Sequence, residues 1–259
     1  MTPARRIRRV RYGRDRNQLG HLHLPLDAGP HPVAVVLHGG FWRAIWNLKL
    51  MEKVSADLAL RGWAAWNVEY RRTGMMAGGG WPHTFTDVAA AVDHVAALAD
   101  EHGLDPTRVA TVGHSAGGHL AIWAASRPQL PAGAPGAEPV VVPLLAVGLG
   151  PVTDLVRAHE LGVGGQAVAR FIGGTPEQVP ERYAVANPAA HLPLGVPQVI
   201  VHGEDDGAVP VALSREYVAA AAAAGDDVEL VTIPDEGHMS CIETQSKAWH
   251  VAAEAILGA

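Results

Sequence analysis

Residues Val33–His38 read VAVVLH, with no polar side chain before the last position. A strand with one face in water alternates apolar and polar residues, whereas a strand covered on both faces is apolar throughout. Runs of this kind recur along the chain, and segments of helical period separate them. Leu50–Arg61 carries Met51, Val54 and Leu58 at helical spacing, and Trp63–Glu69 is rich in β-formers. Thr84–His102 places Val88, Val92, Val95 and Leu98 on one face and stops at Gly103. Arg108–Gly113 and Val140–Leu149 read as strands on either side of an Ala116–Ser126 helix. Val196–His202, Val211–Ala224, Val228–Ile233 and Ser240–Leu257 then read as strand, helix, strand and helix. This alternation predicts an α/β fold, a mostly parallel sheet with helices on both faces. Apolar segments near Val10–Tyr12 and Leu19–Leu24 are expected as an antiparallel hairpin at the sheet edge. Thr73–Pro82 and Pro128–Pro139 read as loops. The stretch from Pro151 to Pro193 is expected to hold short helices and to form a small lid, about residues 151–193. No repeat or second domain is visible, so residues 1–259 read as one domain.

Composition narrows the function classes. Twenty-six acidic against 20 basic residues give a formal charge of −6, which provides no global attraction to nucleic acid. The single cysteine, Cys241, excludes a disulfide framework and a cysteine zinc cluster, and reads as a small buried hydrophobe. No apolar run reaches the length of a membrane span and no leader is visible, so a cytoplasmic protein without a membrane partner is expected. Seven arginines (Arg5, Arg6, Arg8, Arg9, Arg11, Arg14 and Arg16) crowd the start and read as the solvated face of the opening strand pair. The 14 histidines include no H-E-x-x-H pair, and there is no Gly-rich phosphate loop ending in Lys and Ser or Thr. No metal and no cofactor is expected.

The chemistry lies in four segments, each placed after an expected strand. Gly113-His114-Ser115-Ala116-Gly117 matches G-x-S-x-G between a strand and a helix, the setting of a nucleophile elbow. His38-Gly39-Gly40-Phe41-Trp42 follows the first core strand, where an oxyanion-hole loop belongs. Its expected donors are the N–H groups of Gly40 and Phe41, joined by that of Ala116, with Gly39 as the rival within the loop. His202–Pro210 brings Asp205 and Asp206, of which Asp206, three residues before Val209-Pro210, is preferred as the carboxylate that orients an imidazole. Glu236-Gly237-His238-Met239 supplies that imidazole, a general base toward the Ser115 hydroxyl. The order Ser115, Asp206, His238 is that of the α/β-hydrolases.

On these motifs the chain resembles the α/β-hydrolase superfamily over essentially its whole length. HGGFW at 38–42 is similar to the oxyanion motif of the kynurenine formamidase (arylformamidase) branch, and sits close to bacterial carboxylesterases and feruloyl-esterase-like hydrolases. Gly150–Leu155 resembles the loop after the sixth strand of that group, which implies a structural or lid-positioning role for Asp154. The resemblance implies acyl transfer from a small ester or amide through a Ser115 acyl-enzyme. Trp42, Trp81 and His114 are expected to line the substrate pocket, and the bulk of Phe41-Trp42 implies short acyl groups, formyl or acetyl. A carboxylesterase, a dedicated formamidase and a non-catalytic binding protein on the same fold remain the competing readings, and homodimerisation is left open.

Overall fold

The unbroken apolar run after His31 is explained by a sheet packed on both faces. The computed structural model describes residues 6–259. Eight strands form one sheet: β1 Arg6–Arg11, β2 Leu19–Leu24, β3 His31–Leu37, β4 Ala64–Glu69, β5 Leu104–His114, β6 Leu145–Leu149, β7 Gln198–Gly203 and β8 Val228–Ile233. The spatial order is β1-β2-β4-β3-β5-β6-β7-β8. β1 and β2 form the expected hairpin and β2 runs antiparallel to β4, while every other pairing is parallel. Helices α1 Glu52–Leu60, α2 His83–His102, α3 Ala116–Ser126, α7 Val211–Ala224 and α8 Lys247–Leu257 cover the faces, and the short helices α4 Leu155–Glu160, α5 Ala167–Ile172 and α6 Pro180–Ala186 lie between β6 and β7. This is the α/β-hydrolase fold.

Side chains of β3 divide by parity. Val33, Val35 and Leu37 join an apolar cluster with Val88, Val92 and Leu120 of α2 and α3. Ala34 and Val36 join a second cluster with Val54, Leu58, Trp249 and Ile256 of α1 and α8. Both faces are therefore dry. All eleven residues of α3 are buried, and its small side chains let it lie directly against the sheet. A Cβ on Gly113 would stand 2.1 Å from the Gly117 carbonyl, and one on Gly117 would stand 2.1 Å from that of Leu37. Only glycine permits such an approach of strand to helix.

Two expectations are corrected. β6 begins at Leu145, not Val140. Pro143 has no N–H for a ladder, and the N–H groups of Val140 and Val141 donate to Asp93 Oδ1 at 3.0 Å instead. Asp93 is itself held by Arg127 Nη2 at 2.7 Å. The last helix begins at Lys247, because Ser246 Oγ accepts from the Trp249 N–H and the Glu236 carboxylate accepts from the Lys247 and Ala248 N–H groups. Residues 238–242 form a separate 3₁₀ turn. The described arginines of the opening segment, Arg6, Arg8, Arg9, Arg11, Arg14 and Arg16, are exposed, and Arg5 lies outside the described residues.

The segment expected as a lid is tied down. His119 Nε2 donates to the Ala186 carbonyl at 2.9 Å and Trp123 Nε1 to that of Val185 at 3.0 Å. Asp154 caps α4 through the Val156 and Arg157 N–H groups and accepts from Asn187 Nδ2, which matches its expected structural role. Among the described residues no helix is long and apolar enough to cross a membrane.

Leu58 is fully buried and distant in sequence from every motif above. Leu58→Ala is predicted to destabilise the protein by roughly 2–5 kcal/mol, through lost apolar contact and the cavity left behind. A urea titration should show a lower midpoint at unchanged slope.

Candidate active site

Parallel strands deliver their carboxyl ends to one edge of the sheet, and all four motifs sit there. β5 ends at His114, and Ser115 follows with φ 57° and ψ −119°. A left-handed backbone is costly for a residue with a Cβ. Here the Ser115 N–H donates to the Leu149 carbonyl at 2.8 Å and its carbonyl accepts from the His119 N–H at 3.1 Å, which holds the turn in place. Ser115 thus stands at the N-terminus of α3, where backbone dipoles favour developing negative charge.

β7 ends at Gly203 and β8 at Ile233, and their loops bring Asp206 and His238 together. His238 Nδ1 lies 2.6 Å from Asp206 Oδ2, whose carboxylate is fully buried. Asp206 Oδ1 accepts from the Ala208 and Val209 N–H groups at 2.8 Å each. His202 Nε2 lies 3.1 Å from Oδ2. Burial alone would raise the pKa of this carboxyl, but hydrogen bonds from His202, His238 and the Val209 N–H outweigh it and hold the group well below the usual carboxylate range. Asp205 is exposed and meets the Glu236 carbonyl only through its N–H. Gly150 packs against the pair, since a Cβ there would lie 3.1 Å from Asp206 Oδ2 and 3.3 Å from His238 Nδ1. Nδ1 is engaged, while Nε2 of His238 makes no hydrogen bond among the described residues.

His114 braces His238 from below. Its Nε2 donates to the His238 carbonyl at 3.0 Å. Burial and the neighbouring His238 push the His114 pKa down to about 3, so its ring is neutral. A Cβ on Gly39 would lie 2.7 Å from the His114 carbonyl and 3.0 Å from Ser115 Cβ, so the loop after β3 rests directly on the elbow.

That loop has left-handed backbone at Gly40 (φ 108°), Phe41 (φ 51°) and Trp42 (φ 55°). No hydrogen bond among the described residues uses the N–H of Gly40, Phe41 or Ala116. The loop is pinned from outside by Thr73, whose N–H and Oγ1 both donate to the Trp42 carbonyl, at 2.7 and 2.9 Å. From below it is held by a buried polar network. His38 Nε2 lies 3.0 Å from Glu69 Oε1, and its ring stacks on Tyr70 at 4.3 Å. Glu69 also binds Arg72 Nη1 at 2.9 Å and accepts from the Leu48 N–H at 3.2 Å. Arg72 in turn donates to the Trp46 carbonyl. Burial works against the Glu69 anion, yet His38, Arg72 and the Leu48 N–H together lower its pKa.

Ser115 opens into a cavity of about 80 Å³ lined by Gly40, Phe41, Trp46, Leu50, His114, His238 and Met239. The structure therefore brings together Ser115, His114, His238, Gly40 and Phe41. Two expected pocket residues are not there. Trp42 is buried in the core, stacked on Phe171 at 4.4 Å, and Trp81 packs edge-on to Phe85 at 5.5 Å. The left-handed step at residues 41 and 42 turns the Trp42 ring inward. Trp46, Leu50 and Met239 take the places expected for the two tryptophans. Their sequence signal is faint, because loop conformation decides which apolar side chain faces a pocket. Glu69 closes β4, and its network partners come from other segments of the chain. Cys241 is buried, as expected, and burial pushes its thiol up to about 12. Among the described residues no group of three His, Cys, Asp or Glu side chains is placed to hold a metal.

Comparison with known proteins agrees with this architecture. The BD-FAE family model matches residues 22–220, and the chain belongs to that family of α/β-hydrolases. Two relatives from Mycobacterium tuberculosis carry the descriptions probable carboxylic ester hydrolase LipM and esterase LipC. LipM is 30% identical over 197 residues, which are 73% of this chain and 44% of LipM. LipC is 28% identical over 244 residues, 89% of this chain and 59% of LipC. The chain thus spans about half the length of the curated relatives it matches. A propionate-bound structure of the Thermogutta terrifontis esterase Est2 superposes with TM-score 0.74 at 25% identity, over 98% of this chain and 92% of that one. A truncated carbohydrate esterase from gut microbiota superposes with TM-score 0.82 at 23% identity, over 96% and 94%. That likeness is one of fold.

Burial of His119 lowers its pKa to about 4, despite its bond to Ala186. A histidine whose folded pKa lies below the unfolded value of about 6.5 binds more protons unfolded than folded between the two. The stability it contributes is full above pH 6.5 and is lost as pH falls toward 4. Urea titrations are predicted to show the wild type losing up to about 3 kcal/mol from this residue between pH 7 and pH 4. His119→Gln should flatten that part of the pH dependence.

Proposed function

We propose that this chain is a serine carboxylesterase that cleaves small esters with short acyl groups through a covalent acyl-enzyme. The observation that carries the reading is the shared cavity of Ser115 and His238, with the imidazole held at 2.6 Å by a buried aspartate. In this reading Ser115 Oγ attacks the ester carbonyl as His238 Nε2 takes its proton. Asp206 keeps the imidazole in the productive tautomer and stabilises the imidazolium that forms. The N–H groups of Gly40, Phe41 and Ala116 receive the oxyanion, and losing one such donor typically costs about 10²–10³ in kcat. His238 returns the proton to the departing alcohol, which leaves the acyl group on Ser115. Water then attacks with His238 again as base, and the carboxylic acid departs.

The relatives described as ester hydrolases support the reaction class. The size of the cavity supports the acyl preference. At about 80 Å³, between Phe41, Trp46, Leu50 and Met239, it suits an acetyl or propionyl group better than a long chain. Formyl also fits, so aryl formamides form the second substrate class to test.

Ser115→Ala is predicted to lower kcat on p-nitrophenyl acetate by roughly 10⁴–10⁶ while leaving the circular dichroism spectrum unchanged. The wild type should favour acetate over octanoate at least tenfold in kcat/KM. Folded Ser115→Ala protein with wild-type turnover would overturn the mechanism. N-formylkynurenine turnover well above ester turnover would move the assignment to a formamidase.

A further inference from the structure

A second and larger cavity, about 640 Å³, lies on the other side of the loop that walls the Ser115 cavity. Gly40, Phe41 and Trp46 line the small cavity, whereas Arg43, Ala44 and Ile45 line the large one. Thr73–Met75 and, from α5, Ala167 and Arg170 complete most of its wall. Arg43 and Arg170 both line this space, and among the described residues no Asp or Glu does.

That charge pattern is unusual for this chain. Beyond the opening arginine-rich segment, Arg61, Arg71, Arg72, Arg127, Arg157, Arg182 and Arg215 each meet a carboxylate. Arg43, Arg108 and Arg170 do not, among the described residues. Arg108 lies over Trp63, on the far face of the sheet. The other two converge on one cavity in a protein of net charge −6. Arg43 is already oriented: its Nη2 donates to the Gly164 carbonyl at 3.1 Å, and its guanidinium lies 5.6 Å from the centroid of the Phe41 ring. Arg170 is exposed, and its side chain makes no hydrogen bond or ion pair among the described residues. The rim is apolar and open to solvent, with Ile45 78% and Met75 95% exposed. Paired guanidinium groups bind carboxylates through charge-assisted hydrogen bonds, and an apolar rim suits the hydrocarbon body that carries such a group.

We infer that this cavity is an anion subsite for the far end of the substrate, and that the preferred esters carry a carboxylate on an apolar arm. The inference rests on the esterase reading of Ser115. Phe41 lines the small cavity, and the guanidinium of Arg43, which lines the large one, lies over its ring. A substrate reacting at Ser115 would pass its charged arm over this loop to Arg43 and Arg170. The subsite acts on binding and alters no bond in the reaction.

The test compares acidic and neutral ester pairs on wild type, Arg170→Gln and Arg170→Lys. Mono-4-nitrophenyl glutarate against 4-nitrophenyl pentanoate places the charge on the acyl arm. 4-Carboxyphenyl acetate against phenyl acetate places it on the alcohol arm. In one pair the acidic-to-neutral ratio of kcat/KM should fall at least tenfold in Arg170→Gln, mainly through KM, and be partly restored in Arg170→Lys. Raising the salt concentration should lower the same wild-type ratio. Ratios equal in wild type and Arg170→Gln for both pairs would overturn the subsite. Inert neutral esters would instead defeat the esterase reading. Calorimetric titration of glutarate would then decide the subsite by itself: binding weakened at least tenfold in Arg170→Gln supports it, and no binding to wild type overturns it.

Discussion

Ser115 holds a left-handed backbone conformation because three stretches of main chain meet at van der Waals distance beneath it. The end of β5, the first turn of α3 and the end of β3 touch through Gly113, Gly117 and the Leu37 carbonyl. A side chain at either glycine would push the helix off the sheet. The turn would then relax, and the hydroxyl would leave the edge where the other loops arrive. Gly39 extends the same contact to the loop after β3, because its Cα rests on His114 and Ser115. Ser115 and the loop are therefore one packed unit, and their relative geometry follows from backbone contact.

Two buried carboxylates set the electrostatics around that unit. Asp206 is surrounded by His202, His238 and two backbone N–H groups, and Glu69 by His38, Arg72 and the Leu48 N–H. Each is anionic in a setting that would neutralise it if its partners were removed, which leaves each network rigid while its partners are present. Asp206 orients the His238 ring. Glu69 does not reach the Ser115 cavity, but it joins the start of the loop at His38 to its far end at Trp46 through Arg72. The wall between the two cavities is thus anchored at both ends.

Much of this was legible in the chain itself. Uninterrupted apolar strands, helical spacing and Gly stops marked the sheet and most helices, because both signals depend on local periodicity. The elbow and the loops carrying Asp206 and His238 were legible because each follows a strand, and parallel strands bring their ends together. Trp42 and Trp81 were misread for a physical reason. Whether an aromatic residue in a loop faces the pocket or the core depends on the sign of φ at one or two residues, which composition does not reveal. The start of β6 was misread because Asp93, far away in sequence, takes the N–H groups that a longer strand would use. The Glu69 network and the pair of arginines without a carboxylate partner are tertiary facts, visible only once distant segments are placed side by side.

The central claim is that Ser115 is the nucleophile and that His238 activates it. Its most direct measurement is labelling with a fluorophosphonate followed by peptide mass spectrometry, on wild type and His238→Ala. The account predicts one phosphonyl group per chain, located on Ser115, with the labelling rate reduced by several orders of magnitude in His238→Ala. Labelling on another residue, or equal rates in the two proteins, would contradict it.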